Sequence, residues 1–549
     1  MSIKETGPRP INPTPSVAET TSSTEPQTSK TGGSTPAAPP PLPPATALST
    51  NPLAATESLK PNQGQRPYGP KQATQDAQAL RNAMKGLGTD EDAIYTILEN
   101  RSPAERRAIE ATFDRRYGAT SGPLRAWLRD DLSGSELQRA LDGLNSGRSY
   151  APEVGSPEFN LRLDSLTQSS VREGNRSQLL FDGVESFEAR KRLILSATDS
   201  VYLQTFIFDD DATGWETARL LAQRAQEGLD VRVIFDGFGS NRADNEIFEF
   251  MRASGVKVEE YGDPLRQFWD LNDRWHEKHL IVDNQIAIEG GMNIANEYAL
   301  GGSGKLVFSR GPEAEMGWRD LDVQVEGPVV ADIAQGFYKN WEELTGSAER
   351  RAPVDATVME RFEDGSQVRF VQHRPDEDGD QNTKALYLQA IRSATDSIVI
   401  ENAYFLPPAE LRNALINAAR RGVTVKIMTN SRETNDMGPV SDASRYYYDD
   451  LVEAGAQVFE KQDATLHSKT MTVDSKFSII GSVNLNGRSQ WRDSESVVAV
   501  SSENVAYSLN QRFQQGLDGC LEITQTMLER ESILTDLKQW ALSRFAFTM

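Results

Sequence analysis

His276-Glu277-Lys278 closes on Asp283, and His467-Ser468-Lys469 closes on Asp474. The His-to-Asp spacing is 283 − 276 = 7 in one stretch and 474 − 467 = 7 in the other. Each then runs ten residues further to Asn293 or Asn484, through Gly290-Gly291 or Gly481-Ser482. A single His-x-Lys pair is ordinary on an exposed strand, but two copies that share every spacing describe a duplicated site. Two imidazoles and two ammoniums brought to one point suit a phosphodiester. The lysines neutralise the non-bridging oxygens, and charge placed in advance around a transferring phosphoryl group is usually the largest catalytic term. One imidazole can attack phosphorus while the other protonates the leaving oxygen, a covalent two-step route. That division requires one neutral and one protonated ring, and groups sharing a site titrate together. A carboxylate behind each ring would fix its tautomer. Asp322 and Glu495 are the candidates, since they stand at matching places in Trp318-Arg319-Asp320-Leu321-Asp322 and Trp491-Arg492-Asp493-Ser494-Glu495. Asn293, Asn484 and Ser482 could donate hydrogen bonds to the same oxygens. The chemistry needs no metal or other cofactor.

These groups must be carried by elements that aim them together. In a strand, residues i and i+2 share a face, so His276 projects with Lys278 and His467 with Lys469. His279 falls on the other face and reads as structural. Asp283 and Asp474 precede Asn284 and Ser475, turn-forming pairs that lead into a second apolar strand. Each motif is therefore a hairpin, and its aspartate is a turn or supporting group rather than a proton carrier. Around the hairpins, strands alternate with helices. Residues 200–208 (SVYLQTFIF), 230–236 (DVRVIFD), 397–402 (SIVIEN) and 423–429 (VTVKIMT) read as strands, with helices over 214–227 and 409–421. This alternation predicts an α/β fold with a mostly parallel sheet in each half, and the internal repeat predicts two similar lobes related by a pseudo-twofold axis.

The chain's 549 residues carry 58 basic and 80 acidic side chains, a net charge of −22. Such a balance argues against a nucleic-acid partner, whose phosphates are bound through Lys and Arg, and against simple adhesion to anionic lipid. Cys520 is the single cysteine, so no internal disulfide is available. No run of about 18 apolar residues predicts a transmembrane helix, and no ordinary signal peptide follows Met1. Residues 1–70 hold 15 of the 27 prolines and read as a disordered leader, whose Ser/Thr/Pro-rich composition resembles export leaders of bacterial secretion systems. From Gln75 to Leu144 the apolar spacing becomes helical, predicting about five short helices with Thr89 capping one of them. The predicted domains are 1–70, a helical module over 71–148, lobes over 159–350 and 351–520, and a helical tail over 521–549 packed on the second lobe.

The pattern His-x-Lys-x4-Asp-x6-Gly-[Gly/Ser]-x-Asn resembles the signature of the phospholipase D superfamily, and both copies match it over roughly residues 180–520. Residues 203–208, 320–323, 403–407 and 481–485 look most like soluble bacterial cardiolipin synthases. The resemblance implies a phospholipid substrate, His276 as nucleophile and His467 as acid and base, with either a lipid glycerol or water as acceptor. A nuclease of the same superfamily and an inert membrane-binding scaffold are the alternatives. Residues 84–91 (MKGLGTDE), with Arg101-Ser102 and Leu132-Ser133-Gly134, resemble one annexin repeat. That likeness implies calcium held by carbonyls of Met84, Gly86 and Gly88 and by the carboxylate of Asp131, an oxygen set suited to a hard cation. It also implies a peripheral contact with a membrane surface. No obligate protein partner is inferred, and the chain is expected in the cytoplasm or at the membrane periphery, with export as a further option.

Overall fold

The computed structural model describes residues 70–530 and Gln539, apart from 86–87, 100, 102, 147–151, 263–272, 300–317, 347–353, 375–379 and 436–437. The leader over 1–69 and most of the tail lie outside these residues, as does Gly86 of the proposed calcium loop. Helices α1 (Pro70–Ala83), α2 (Glu91–Glu99), α3 (Pro103–Ser121), α4 (Leu124–Asp131) and α5 (Gly134–Ser146) form the predicted bundle. It closes on a core of its own that includes Leu80, Ile94, Leu98, Ile109, Phe113, Leu124 and Leu128. The start of α2 is capped by Asp90, which accepts from the Ala93 N–H at 3.0 Å, rather than by Thr89. Helix α6 (Pro157–Thr167) then leads into the lobes.

The first lobe runs β1 (Arg172–Phe181), α7 (Asp182–Ser196), β2 (Ser200–Thr205), α8 (Ala212–Gln226), β3 (Asp230–Asp236), α9 (Asn245–Ala253), β4 (Lys257–Tyr261), β5 (Arg274–Trp275), β6 (His279–Val282), β7 (Ile286–Gly290), α10 (Asn296–Ala299), β8 (Leu321–Glu326) and α11 (Val329–Thr345). The second repeats it as β9 (Ser366–His373), α12 (Asn382–Ser393), β10 (Ser397–Asn402), α13 (Ala409–Arg420), β11 (Thr424–Asn430), α14 (Gly438–Arg445), α15 (Tyr448–Glu453), β12 (Gln457–Lys461), β13 (Lys469–Val473), β14 (Phe477–Gly481), α16 (Gly487–Trp491), β15 (Asp493–Ser501) and α17 (Glu503–Gly516). The chain continues as β16 (Cys520–Ile523) and α18 (Gln525–Leu528).

The strands join in one sheet ordered β16-β12-β11-β10-β13-β14-β15-β9-β1-β8-β7-β6-β2-β3-β4. Apart from β16, which has no counterpart, the order reads the same from both ends about the antiparallel β1–β9 seam, which is the pseudo-twofold axis expressed in strands. Within the main sheet β2-β3-β4 and β10-β11-β12 run parallel, the short β5 pairs parallel with β15, and the motif hairpins and their neighbours are antiparallel. The sheet in each half is thus mixed, not mostly parallel, because hairpins fill its centre and hairpins pair antiparallel. The predicted helical tail begins instead with β16, which extends the sheet along β12. Helices α7, α8 and α9 share one apolar core with the first lobe's strands, and α12 and α13 share another with the second's. On the opposite face Val330, Ile333, Phe337 and Leu509 of α11 and α17 span both halves. No helix among the described residues is long and apolar enough to cross a membrane.

Candidate functional site

Both hairpins turn on two residues at positive φ: Asp283 (53°) and Asn284 (53°) in one, Asp474 (52°) and Ser475 (52°) in the other. These are the conformations of a tight two-residue hairpin, which Asp and Asn tolerate best. The Asp283 carboxylate accepts from the N–H groups of Thr198, Asp199 and Ser200 and from the Thr198 hydroxyl, all within 3.1 Å. Asp474 does the same with Thr395, Asp396 and Ser397. Partial burial alone would raise the pKa of Asp283, but the backbone donors of Ser200, Asp199 and Thr198 hold it below the ordinary value. Both aspartates therefore pin a hairpin to the start of β2 or β10, at the end of the motif away from the lysine.

At the other end of each hairpin the two lobes cross. The His276 N–H donates to the Ser494 carbonyl at 2.8 Å, and the His467 N–H to the Arg319 carbonyl at 2.7 Å. Each ring then meets a carboxylate of the opposite lobe. His276 Nδ1 lies 3.0 Å from Glu495, and His467 Nδ1 lies 2.7 Å from Asp320. The acid behind His467 is thus Asp320, not Asp322, which instead pairs at 2.8 Å with Arg190 and accepts from Ser186. The shared Trp-Arg-Asp triplet misleads by two positions. In the sheet Gly290 pairs with Asp322 and Gly481 with Val497, so Asp320 is the true counterpart of Glu495. The neighbouring positions match this difference. Ser482 donates its hydroxyl to Glu495. A side chain at Gly291 would place its Cβ 2.4 Å from the Asp320 carboxylate, so that position is left bare.

His276 and Lys278 sit in the link between β5 and β6 rather than in a strand, but they share one surface. Lys278 donates to the His276 carbonyl. Lys469 donates to the His467 carbonyl and stands 2.9 Å from that ring's Nδ1. Phe206 meets the His276 ring edge-on at 4.9 Å, while Tyr298 and Trp318 each lie 5.2 Å from the His467 ring. These aromatic walls and Asp320 are functional candidates that the motif spacing did not single out. Asp320 was legible only as part of the repeated Trp-Arg-Asp, and the aromatics had no periodic signal.

The electrostatics tie the four basic groups into one cluster. Burial, then Lys278 and Lys469, hold the His276 pKa well below its ordinary value. Burial, Lys469, Lys278 and His276 do the same to His467. Burial brings the Lys278 ammonium down to about 7 against the pull of Glu495. Burial likewise lifts Glu495 to about 7 despite Lys278, and raises Asp320. Protons can therefore be exchanged within the cluster close to neutral pH. Asn293 is already committed: its Oδ1 accepts from the Ile207 N–H at 3.0 Å and its amide donates to the Tyr298 hydroxyl at 2.8 Å. It thereby steadies a wall of the site, with an amide N–H spent on Tyr298 rather than on a phosphate oxygen. Asn484 is buried, with its Oδ1 lacking a hydrogen-bond partner. His279 is clamped between Glu289 at 3.0 Å and Glu277 at 3.7 Å, all three wholly buried.

In the helical bundle Gly88 adopts a φ of 101°, the side chain of Met84 is buried, and burial with the neighbouring charge of Asp130 raises Asp131. Backbone carbonyls and one carboxylate are the kind of donors that calcium takes.

The family model described as cardiolipin synthase, PLD-like domain, matches residues 191–301 and 387–517, and the annexin model matches 75–141. Cardiolipin synthase B of Escherichia coli strain K12 is 31% identical over 382 residues, which cover 66% of this chain and 86% of that protein. Cardiolipin synthase of Halalkalibacterium halodurans is 31% identical over 412 residues, 72% and 79% of the two chains. Cardiolipin synthase A of Pseudomonas entomophila is 32% identical over 404 residues, 73% and 77%. Among solved structures, phosphatidylserine synthase of Haemophilus influenzae Rd KW20 matches with a TM-score of 0.54 at 15% identity, over 70% of this chain and 96% of that one, a likeness of fold alone.

Proposed function

The chain belongs to the phospholipase D-like cardiolipin synthase family, and we propose on that premise that it transfers a phosphatidyl group between phospholipid molecules. The observation that carries the reading is the crossed site: two imidazoles, each with a carboxylate from the opposite lobe, over two buried lysines, an arrangement that lets His276 act neutral and His467 act protonated in the first step. With Nδ1–H donated to Glu495, His276 presents Nε2 as nucleophile. In the first step the Nε2–P bond forms and the P–O bond to the leaving glycerol breaks, while His467 gives that oxygen its proton. In the second, His467 takes the proton of an incoming hydroxyl, whose oxygen forms the new ester as the P–N bond breaks. Lys278 and Lys469 neutralise the non-bridging oxygens throughout. His276 and His467 expose only 12% and 6% of their side chains. The choice of a lipid glycerol over water as acceptor is supported by the cardiolipin synthase relatives.

The annexin-like bundle, through Met84, Gly86, Gly88 and Asp131, would hold calcium and add a calcium-dependent contact with the bilayer. Incubation with phosphatidylglycerol vesicles tests the chemistry. Cardiolipin and glycerol are the expected products, and phosphatidic acid alone would reverse the choice of acceptor. His276→Ala should abolish turnover; retained activity would refute the nucleophile assignment.

A further inference from the structure

Three of the large apolar side chains left exposed connect, through one or two neighbouring residues, to the histidine motifs. Phe238 follows β3 and is 59% exposed, Trp491 ends α16 and is 39% exposed, and Tyr446 follows α14 and is 42% exposed. Scattered exposed aromatics are ordinary, but these are linked by contacts to the two histidines. Arg274 lies over the Phe238 ring at 4.3 Å, two residues before His276 in the chain. Arg274 also pairs in the sheet with Asp493, two residues after Trp491. Lys384 Nζ sits 4.6 Å from the Trp491 ring. On the other side Tyr446 packs edge-on against Tyr447 at 5.4 Å. Tyr447 shares a small apolar cluster with Tyr404, whose ring faces His467. Phe238 and Trp491 are thus each backed by a cation, and Tyr446 by a second ring, yet all three stay exposed.

We propose that Phe238, Trp491 and Tyr446 form a rim that enters the headgroup layer of a phospholipid bilayer and seats the mouth of the site on its substrate. The proposal rests on the phospholipid reading above and adds how a chain of net charge −22 reaches a membrane. Rim cations are matched by carboxylates: Lys384 with Glu410 at 2.7 Å, Arg492 with Asp273 at 3.4 Å, Arg432 with Asp442 at 3.4 Å. Net attraction to anionic lipid is therefore small, and the rings carry the contact. Amphipathic aromatic side chains settle at the membrane–water boundary for this reason.

Sedimentation with vesicles of mixed phosphatidylglycerol and phosphatidylcholine, in chelator, reads the rim directly. Wild-type protein should bind, and raising salt should change the half-binding lipid concentration by less than about twofold, because screening acts on exposed charge and not on apolar insertion. Phe238→Ala with Trp491→Ala should raise that concentration by about tenfold or more, whereas Phe238→Trp with Trp491→Phe should restore it. His276→Ala should bind as wild type. Unchanged binding by the double alanine variant would overturn the proposal, as would wild-type binding seen only with calcium. Loss of binding in His276→Ala would overturn it too. Wild-type protein that binds these vesicles and converts no phospholipid would leave the rim standing and remove the transferase reading.

Discussion

Replacing Glu495 by Gln tests the site through two observables that move in opposite directions. Glu495 is wholly buried, and its carboxyl is raised from 4.5 to about 7, chiefly by burial. A raised carboxyl means that the folded state binds the proton more tightly than the unfolded chain does. The associated stability is fully present below the unfolded value of 4.5 and is lost as pH rises through the folded value of about 7. The shift of about 2.5 units corresponds to roughly 3 kcal/mol. Gln carries no such proton, so the difference in melting temperature, variant minus wild type, should grow between pH 5 and 7.5 and then level off. For the two lobes melting together, about 360 residues, its pH-dependent part amounts to about 4 °C. Activity should fall meanwhile, because Gln can turn its amide toward His276 Nδ1 and impose the wrong tautomer. Loss of a carboxylate in that role costs about 10⁴-fold in turnover in a hydrolase triad. Melting curves across pH, with turnover measured on the same samples, decide the matter. A melting difference that stays flat from pH 5 to 8, or a variant with ordinary turnover, would refute the reasoning.

Two further pairs of substitutions separate chemistry from architecture. Asp320→Asn should cut turnover by about 10³–10⁴-fold with His467 left in place. Asp322→Asn, which strands the buried Arg190, should instead cost about 3–5 kcal/mol of stability and leave turnover per folded molecule near normal; kinetics and urea titration on both variants check the exchange of roles. Asp283→Ala and Asp474→Ala should each destabilise by about 2–3 kcal/mol, from lost charge-assisted bonds and a positive φ unsuited to Ala, without moving the pH profile of turnover. A shifted profile would mean that the turn aspartates take part in proton transfer after all.

Much of this architecture was legible in the residues. The strands over Asp230–Asp236 and Ser397–Asn402 fall where alternation and composition put them, and the turn pairs at Asp283 and Asp474 announced the hairpins. What local pattern could not supply was register across the sheet. Trp318 and Trp491 open identical triplets, yet the second lobe reaches the equivalent sheet position two residues later, so matching by letters picked Asp322 where matching by hydrogen bonds picks Asp320. Strand β16 escaped for a related reason. Its four residues are too few to show a period, and they become a strand only because β12 offers them an open edge. Strand direction was misjudged where hairpins outnumber crossovers. Asp90 replaced Thr89 as a cap within the one- or two-residue uncertainty of any helix end.

The crossing of His276 to Glu495 and His467 to Asp320 has a bearing on synthesis. A ribosome that has released only the first lobe has made His276 and Asp320, each waiting for a partner not yet translated. Neither ring has its carboxylate until the halves fold against each other, so the paired site can be completed only after the second lobe is made.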